Sequence, residues 1–314
     1  MTLETYKGEE PEVRARFQNA IETLLTKVKQ DPYVLAVVRY GSLSYDLVWD
    51  KSDIDLIIVT KETRLSFPNI TMTESGIRIH TSLFTRSEFK KQLEGAVQGS
   101  FTHSILMKGQ LLFTRDDSLE ELWANRQGFG ARDRAVQLLQ ASLPPLMSLT
   151  KAQKWLVARN DPYYSFFWIM KCLDGLAAIE TTLAGEIPGR EVLWQALRIN
   201  PPFFQSLYND LIDSPKTPEV ISAALARIES YLRERATTIF APILEYLAEA
   251  EGVRSAREID SYFLKQRNVQ FAFLACEWLA SEGFLKMVAT PARLTEKSRV
   301  DVEEVAYYYD GSPS

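Results

Sequence analysis

RYGSLSYDLVWDKSDIDLIIVT, residues Arg39–Thr60, ends one apolar run on a glycine-serine pair and opens the next with two aspartates one residue apart. Asp53 and Asp55 stand at the mouth of Leu56-Ile57-Ile58-Val59, which reads as a buried strand. Residues i and i+2 of a strand point to the same side, ~6–7 Å apart along the backbone. Two carboxylates so placed beside apolar residues repel each other and resist desolvation, so a positive charge belongs between them. Gly41-Ser42 alone would read as a turn, and Asp53-Ile54-Asp55 alone as the solvated start of a strand. Ten residues apart and flanked by two apolar runs, they read together as one site.

Working outward, Val13, Phe17, Ile21, Leu24 and Leu25 recur at helical spacing, and Asp31-Pro32-Tyr33 stops that helix. Strands are expected at 34–38, 55–59, 76–85 and 110–114. In the third, Arg78, His80, Ser82 and Phe84 alternate with Ile77, Ile79, Thr81 and Leu83. Helices are expected at 86–97 and 101–109. Residues 1–125 thus form an α/β domain around a mixed sheet. Residues 126–252 read as a helical bundle, with its first helix ended or kinked at Pro144-Pro145 and one long helix running from Pro218 toward Ala250. Residues 253–314 give two amphipathic helices and a β-hairpin, the order of a winged helix. The chain is expected to be α+β, in three parts.

Composition narrows the function classes. The chain has 314 residues, 46% of them apolar, with a net charge of −5, so no global basic excess points to nucleic acid. Cys172 and Cys276 lie in apolar helical contexts and read as buried free thiols, and two histidines make no zinc cluster. The acidic start is unlike a signal peptide, and charge interrupts every apolar run short of membrane-spanning length. A cytoplasmic protein with no membrane contact is the expectation.

Gly41-Ser42, ten residues and Asp53-Ile54-Asp55 form the pattern of nucleotidyltransferases of the DNA polymerase β type. The chain resembles that superfamily, particularly its minimal, kanamycin nucleotidyltransferase-like branch. The three-part order is similar to a group of Bacillus-type nucleotidyltransferase-like proteins. The resemblance implies that an NMP group passes from an NTP to a hydroxyl of a small molecule or protein, with pyrophosphate leaving. It further implies Mg2+ held by Asp53 and Asp55 and by the triphosphate itself. Gly41 would let the backbone approach the phosphates, and Ser42 would offer a hydroxyl and an N–H at the start of a helix over 43–49. Arg39 and Lys51 are candidate phosphate contacts or solvated surface charges.

The chain departs from the family at the third carboxylate, which often serves as general base on the next long strand. His80 occupies the position that aligns with it, and reads either as a base or as a packing residue. Glu74 is a stand-in or a loop charge. Some relatives take the base from the helical domain. There Asp174 and Glu180 are candidates, with Lys171 a phosphate contact or the i, i+3 salt-bridge partner of Asp174. The tail lacks a basic recognition helix, so packing or homodimer formation fits it better than duplex DNA. Two alternatives to an enzyme follow: a nucleotide-binding regulator with impaired catalysis, and a DNA-binding regulator working through the tail.

Overall fold

A computed structural model of the chain describes residues 10–41, 52–94, 109–125, 134–250 and 252–311. The expected helices at 43–49 and 101–109 fall largely or wholly outside these residues, as do Ser42 and Lys51. The chain divides into two compact units, Met1–Arg132 and Asp133–Ser314.

In the first unit, helix α1 (Glu10–Val28) leads into strand β1 (Val34–Tyr40). The other strands are β2 (Ile54–Thr60), β3 (Asn69–Glu74), β4 (Ile77–Thr85) and β5 (Gln110–Thr114), in the sheet order β3-β4-β2-β1-β5. Among the described residues, β2 and β4 pair in parallel and the other neighbours are antiparallel. Period-two alternation sends β2 side chains to two different cores. Ile54, Leu56 and Ile58 join Val37, Ile79 and the α1 residues Phe17 and Ile21. Ile57 and Val59 face the other way, toward α2 (Arg86–Glu94) and α3 (Asp117–Ala124), where Phe89, Leu93, Leu119 and Trp123 are buried. Asp53 and Asp55 share the parity of Ile57 and lie beyond the end of that second core.

Strand β3 was not expected from the sequence. It is an edge strand with no buried residue, and its apolar face is only Ile70 and Met72, too short an alternation to stand out from the surrounding polar loop. It pairs with β4 through a two-residue turn in which Ser75 and Gly76 both have positive φ (52° and 77°). That geometry matches the twist of a two-stranded ribbon.

The second unit begins with α4 (Arg134–Arg159) and α5 (Pro162–Leu183). Here the expected break at Pro144-Pro145 is corrected: α4 runs continuously through both prolines. Tertiary packing accounts for this. Gly175 of α5 lies so close to the proline turn that an added Cβ would be 2.5 Å from Pro145 Cδ and 2.8 Å from the Ala141 carbonyl oxygen. The Cys172 thiol also donates to the Pro145 carbonyl at 3.6 Å. Glycine inside a helix costs about 1 kcal/mol relative to alanine, so Gly175→Ala on an open face would stabilise. At this contact the sign reverses. We expect Gly175→Ala to destabilise the second unit by about 1–3 kcal/mol, read as a lower urea midpoint at unchanged slope.

The region read as one helix from Pro218 is three: α9 (Pro218–Glu234), α10 (Ala236–Ile239) and α11 (Ala241–Glu249), after the short α6 (Val192–Ile199), α7 (Pro201–Leu207) and α8 (Asn209–Asp213). The tail contributes β6 (Arg254–Ser255), α12 (Ala256–Arg267), α13 (Phe273–Ser281), β7 (Lys286–Ala292) and β8 (Val302–Tyr308). Its buried Ile259, Phe263, Cys276, Leu279 and Tyr307 belong to the same core as Leu138, Leu139, Leu176 and Ile228 of the bundle. Burial raises both cysteine thiols, Cys172 to about 12, which leaves them inert. Among the described residues no helix is long and apolar enough to cross a membrane.

Candidate active site

Two rows of side chains cross the sheet beyond the end of the second core. The first follows the register: Tyr40 of β1 faces Asp55 of β2, Asp55 faces His80 of β4, and His80 faces Thr71 of β3. One step along, Arg78 faces Thr73 across the β3–β4 pair and reaches Asp53 just before β2. Strand parity alone therefore gathers two acids, an arginine, an imidazole and a phenol on one face.

Asp55 is set against the Gly41 turn. Gly41 has φ +83°, and a Cβ on it would lie 2.0 Å from Asp55 Oδ2 and 2.9 Å from Cγ. The absent side chain of Gly41 is the space that the Asp55 carboxylate occupies. Next to it, burial holds the Tyr40 phenol above its ordinary pKa; a hydrogen bond with Ser82 opposes this and the Asp55 charge adds to it.

Asp53 is approached from β4. Arg78 Nε lies 2.9 Å from Oδ1, and His80 Nε2 lies 3.3 Å from Oδ2. The Arg78 contact is an ion pair without hydrogen-bond alignment, for Oδ1 is a buried oxygen that makes no hydrogen bond. The His80 ring is fixed on its other side by Thr71, whose hydroxyl is 3.0 Å from Nδ1. When His80 is neutral and donates from Nε2, Nδ1 accepts from that hydroxyl.

Other expected residues go elsewhere. Arg39 sits opposite Leu56 in the β1–β2 register, so it projects to the α1 side of the sheet, away from the aspartates. Its Nη2 donates to Gln110 Oε1 at 2.8 Å. Glu74 ends β3 on that same far side, 2.6 Å from Lys27 of α1, and cannot serve as the third carboxylate. In the second unit, Lys171 lies over the rings of Phe167 and Trp168, at 4.7 and 4.8 Å from their centroids. Asp174 is exposed, and among the described residues no ion pair joins it to Lys171. The aromatic faces one turn earlier hold the ammonium instead. Glu180 accepts a 2.7 Å hydrogen bond from the Tyr231 hydroxyl inside the bundle.

The sequence reading missed Arg78, Thr71 and Tyr40 as site residues. Arg78 was legible, since it shares the His80 face of an alternating strand. Thr71 was not, because β3 itself was not.

The family described as polymerase beta, nucleotidyltransferase matches residues 22–118, which span the sheet and both aspartates. The first unit contains a polymerase β-type nucleotidyltransferase domain. A solved nucleotidyltransferase-like protein from Exiguobacterium sibiricum 255-15 shares the fold with a TM-score of 0.61. At 18% identity, the likeness covers 94% of this chain and 99% of that one. Comparison with curated proteins finds no match.

The donors of the nucleotidyltransferase domain suit a hard divalent cation. Both acids offer oxygen, Asp53 Oδ1 makes no hydrogen bond although it carries the Arg78 ion pair, and Gly41 leaves room for Asp55. Among the described residues no group of three or more His, Cys, Asp or Glu side chains is arranged to hold a metal.

Proposed function

We propose that the chain transfers a nucleoside monophosphate from an NTP to a hydroxyl of a small molecule or a protein. One observation carries the reading: Asp55 of β2 and Asp53 just before it share a polar sheet face, Asp55 seated in the space left by Gly41. In this reading Asp53 and Asp55 hold Mg2+, which when bound neutralises charge developing between the α-phosphate and the leaving pyrophosphate. Gly41 brings backbone close to the phosphates, and Ser42 donates to the β- and γ-oxygens.

His80 is the base that this geometry supports best. It stands in register with Asp55, its ring is oriented by Thr71, and a neutral imidazole nitrogen accepts a proton. In the tautomer in which Nδ1 donates to the Thr71 hydroxyl, Nε2 takes the proton of the acceptor hydroxyl as that oxygen bonds to the α-phosphorus, and the bond to pyrophosphate breaks.

The test incubates the full chain with each α-labelled NTP and MgCl2, alone and with a panel of hydroxyl acceptors. We expect one NTP to release pyrophosphate and transfer label, and EDTA to stop both. Calorimetric binding without release under any acceptor would remove transfer and leave a nucleotide-binding regulator, the reading that an arginine at Asp53 would then favour. No binding of any NTP would overturn the proposal.

A further inference from the structure

We propose that Arg78 stands in the place of a second divalent cation, so that the site takes one metal ion with its nucleotide. This rests on the function proposed above and adds to it the charge arrangement of the site. Strand β4 brings an arginine and a histidine to the two oxygens of Asp53, 2.9 Å and 3.3 Å away. Asp55 instead lies against the turn that would carry the phosphates. The two acids therefore differ in environment, and a pair of ions shared symmetrically between them would have to displace a resident guanidinium.

The way Arg78 is held decides its role. Nε is the Arg78 atom nearest to Asp53, while the side chain is 63% exposed. Among the described residues, Nη1 and Nη2 make no hydrogen bond. A guanidinium tethered at Nε keeps a planar two-donor fork, which matches two oxygens of a phosphate. Two carboxylates and one arginine sum to a single negative charge, and one divalent ion turns that into a single positive charge facing a polyanion. A second ion is not needed to make the site attractive to a triphosphate.

Arg78 is thus a fixed cation with one side on the protein and the other open to the ligand. Being tethered, it also offsets part of the repulsion between the two carboxylates and a triphosphate before any metal arrives. Its exposed position on a strand makes substitution structurally mild.

The experiment counts ions. Mn2+ bound per chain is measured by electron paramagnetic resonance with saturating α,β-methylene ATP or α,β-methylene GTP, for wild type, Arg78→Ala and Arg78→Lys, after thermal melts confirm that the variants fold. Wild type is expected to bind one Mn2+, Arg78→Ala two, and Arg78→Lys, which keeps the charge, one. Nucleotide binding in EDTA is expected to weaken about tenfold or more in Arg78→Ala, the loss of a charge-assisted contact. Two Mn2+ in wild type, or one in Arg78→Ala, would overturn the proposal while leaving the transferase reading intact. No nucleotide binding in wild type would overturn both. If Arg78→Ala does not fold, Arg78→Gln replaces it with the same expected count of two.

Discussion

Asp55→Asn is expected to lower kcat/KM for nucleotidyl transfer about a thousandfold or more, while the thermal midpoint stays close to that of the wild type. Asparagine has nearly the same shape and still fits against Gly41, but it lacks the charge that holds a cation. A bound divalent ion contributes several kcal/mol of transition-state stabilisation, and about 4 kcal/mol corresponds to a factor of roughly a thousand. Asp53→Asn should act in the same direction. An independent reporter sits next to the site. The Asp55 charge is one of the causes raising the Tyr40 pKa, so in Asp55→Asn the Tyr40 phenol should titrate at lower pH. NMR of ring-labelled tyrosine reads this without substrate. Turnover preserved in Asp55→Asn, with the Tyr40 shift present, would show that the carboxylate is in place and does no catalytic work.

The legible part of this protein is the part governed by short-range periodicity. Asp53 and Asp55 announced a site because polar charge at strand parity beside a buried run is costly without a purpose. Ile54 between them is fully buried on the α1 side, as alternation requires. Longer-range facts were hidden. Nothing local shows that Arg78 reaches Asp53, because that contact depends on the parallel register of β2 with β4, two strands joined through an intervening one. Arg39 looked close to the Gly-Ser pair in sequence, yet one step of alternation sends it through the sheet. The prolines of α4 failed as breakers because Gly175 brings a second helix against them, and a propensity read along one chain carries no information about a neighbour. Lys171 and Asp174 had the spacing of an ion pair, but aromatic faces one turn away compete for the same ammonium.

Gly41→Ala should be the most damaging change to the site that removes no functional group. Two effects add. At φ +83° an alanine is strained by about 1–2 kcal/mol, and its Cβ would fall 2.0 Å from Asp55 Oδ2, a separation that no relaxation of the methyl can absorb. The carboxylate has to move, and a displacement of about 1 Å at reacting distance costs on the order of a hundredfold in rate. We expect kcat/KM to fall about a hundredfold or more. Gly185 separates the two effects: it has a nearly identical φ of +80°, with nothing within 4 Å of an added Cβ. Gly185→Ala should therefore show the backbone penalty alone and leave turnover unchanged. A double mutant completes the argument. With Asp55→Gly the obstructing carboxylate is gone, so adding Gly41→Ala should cost only what Gly185→Ala costs in stability, and should lower activity no further. Equal stability losses for Gly41→Ala and Gly185→Ala in the wild-type background, with full activity in both, would mean that Asp55 does not occupy the space beside Gly41 when the site works.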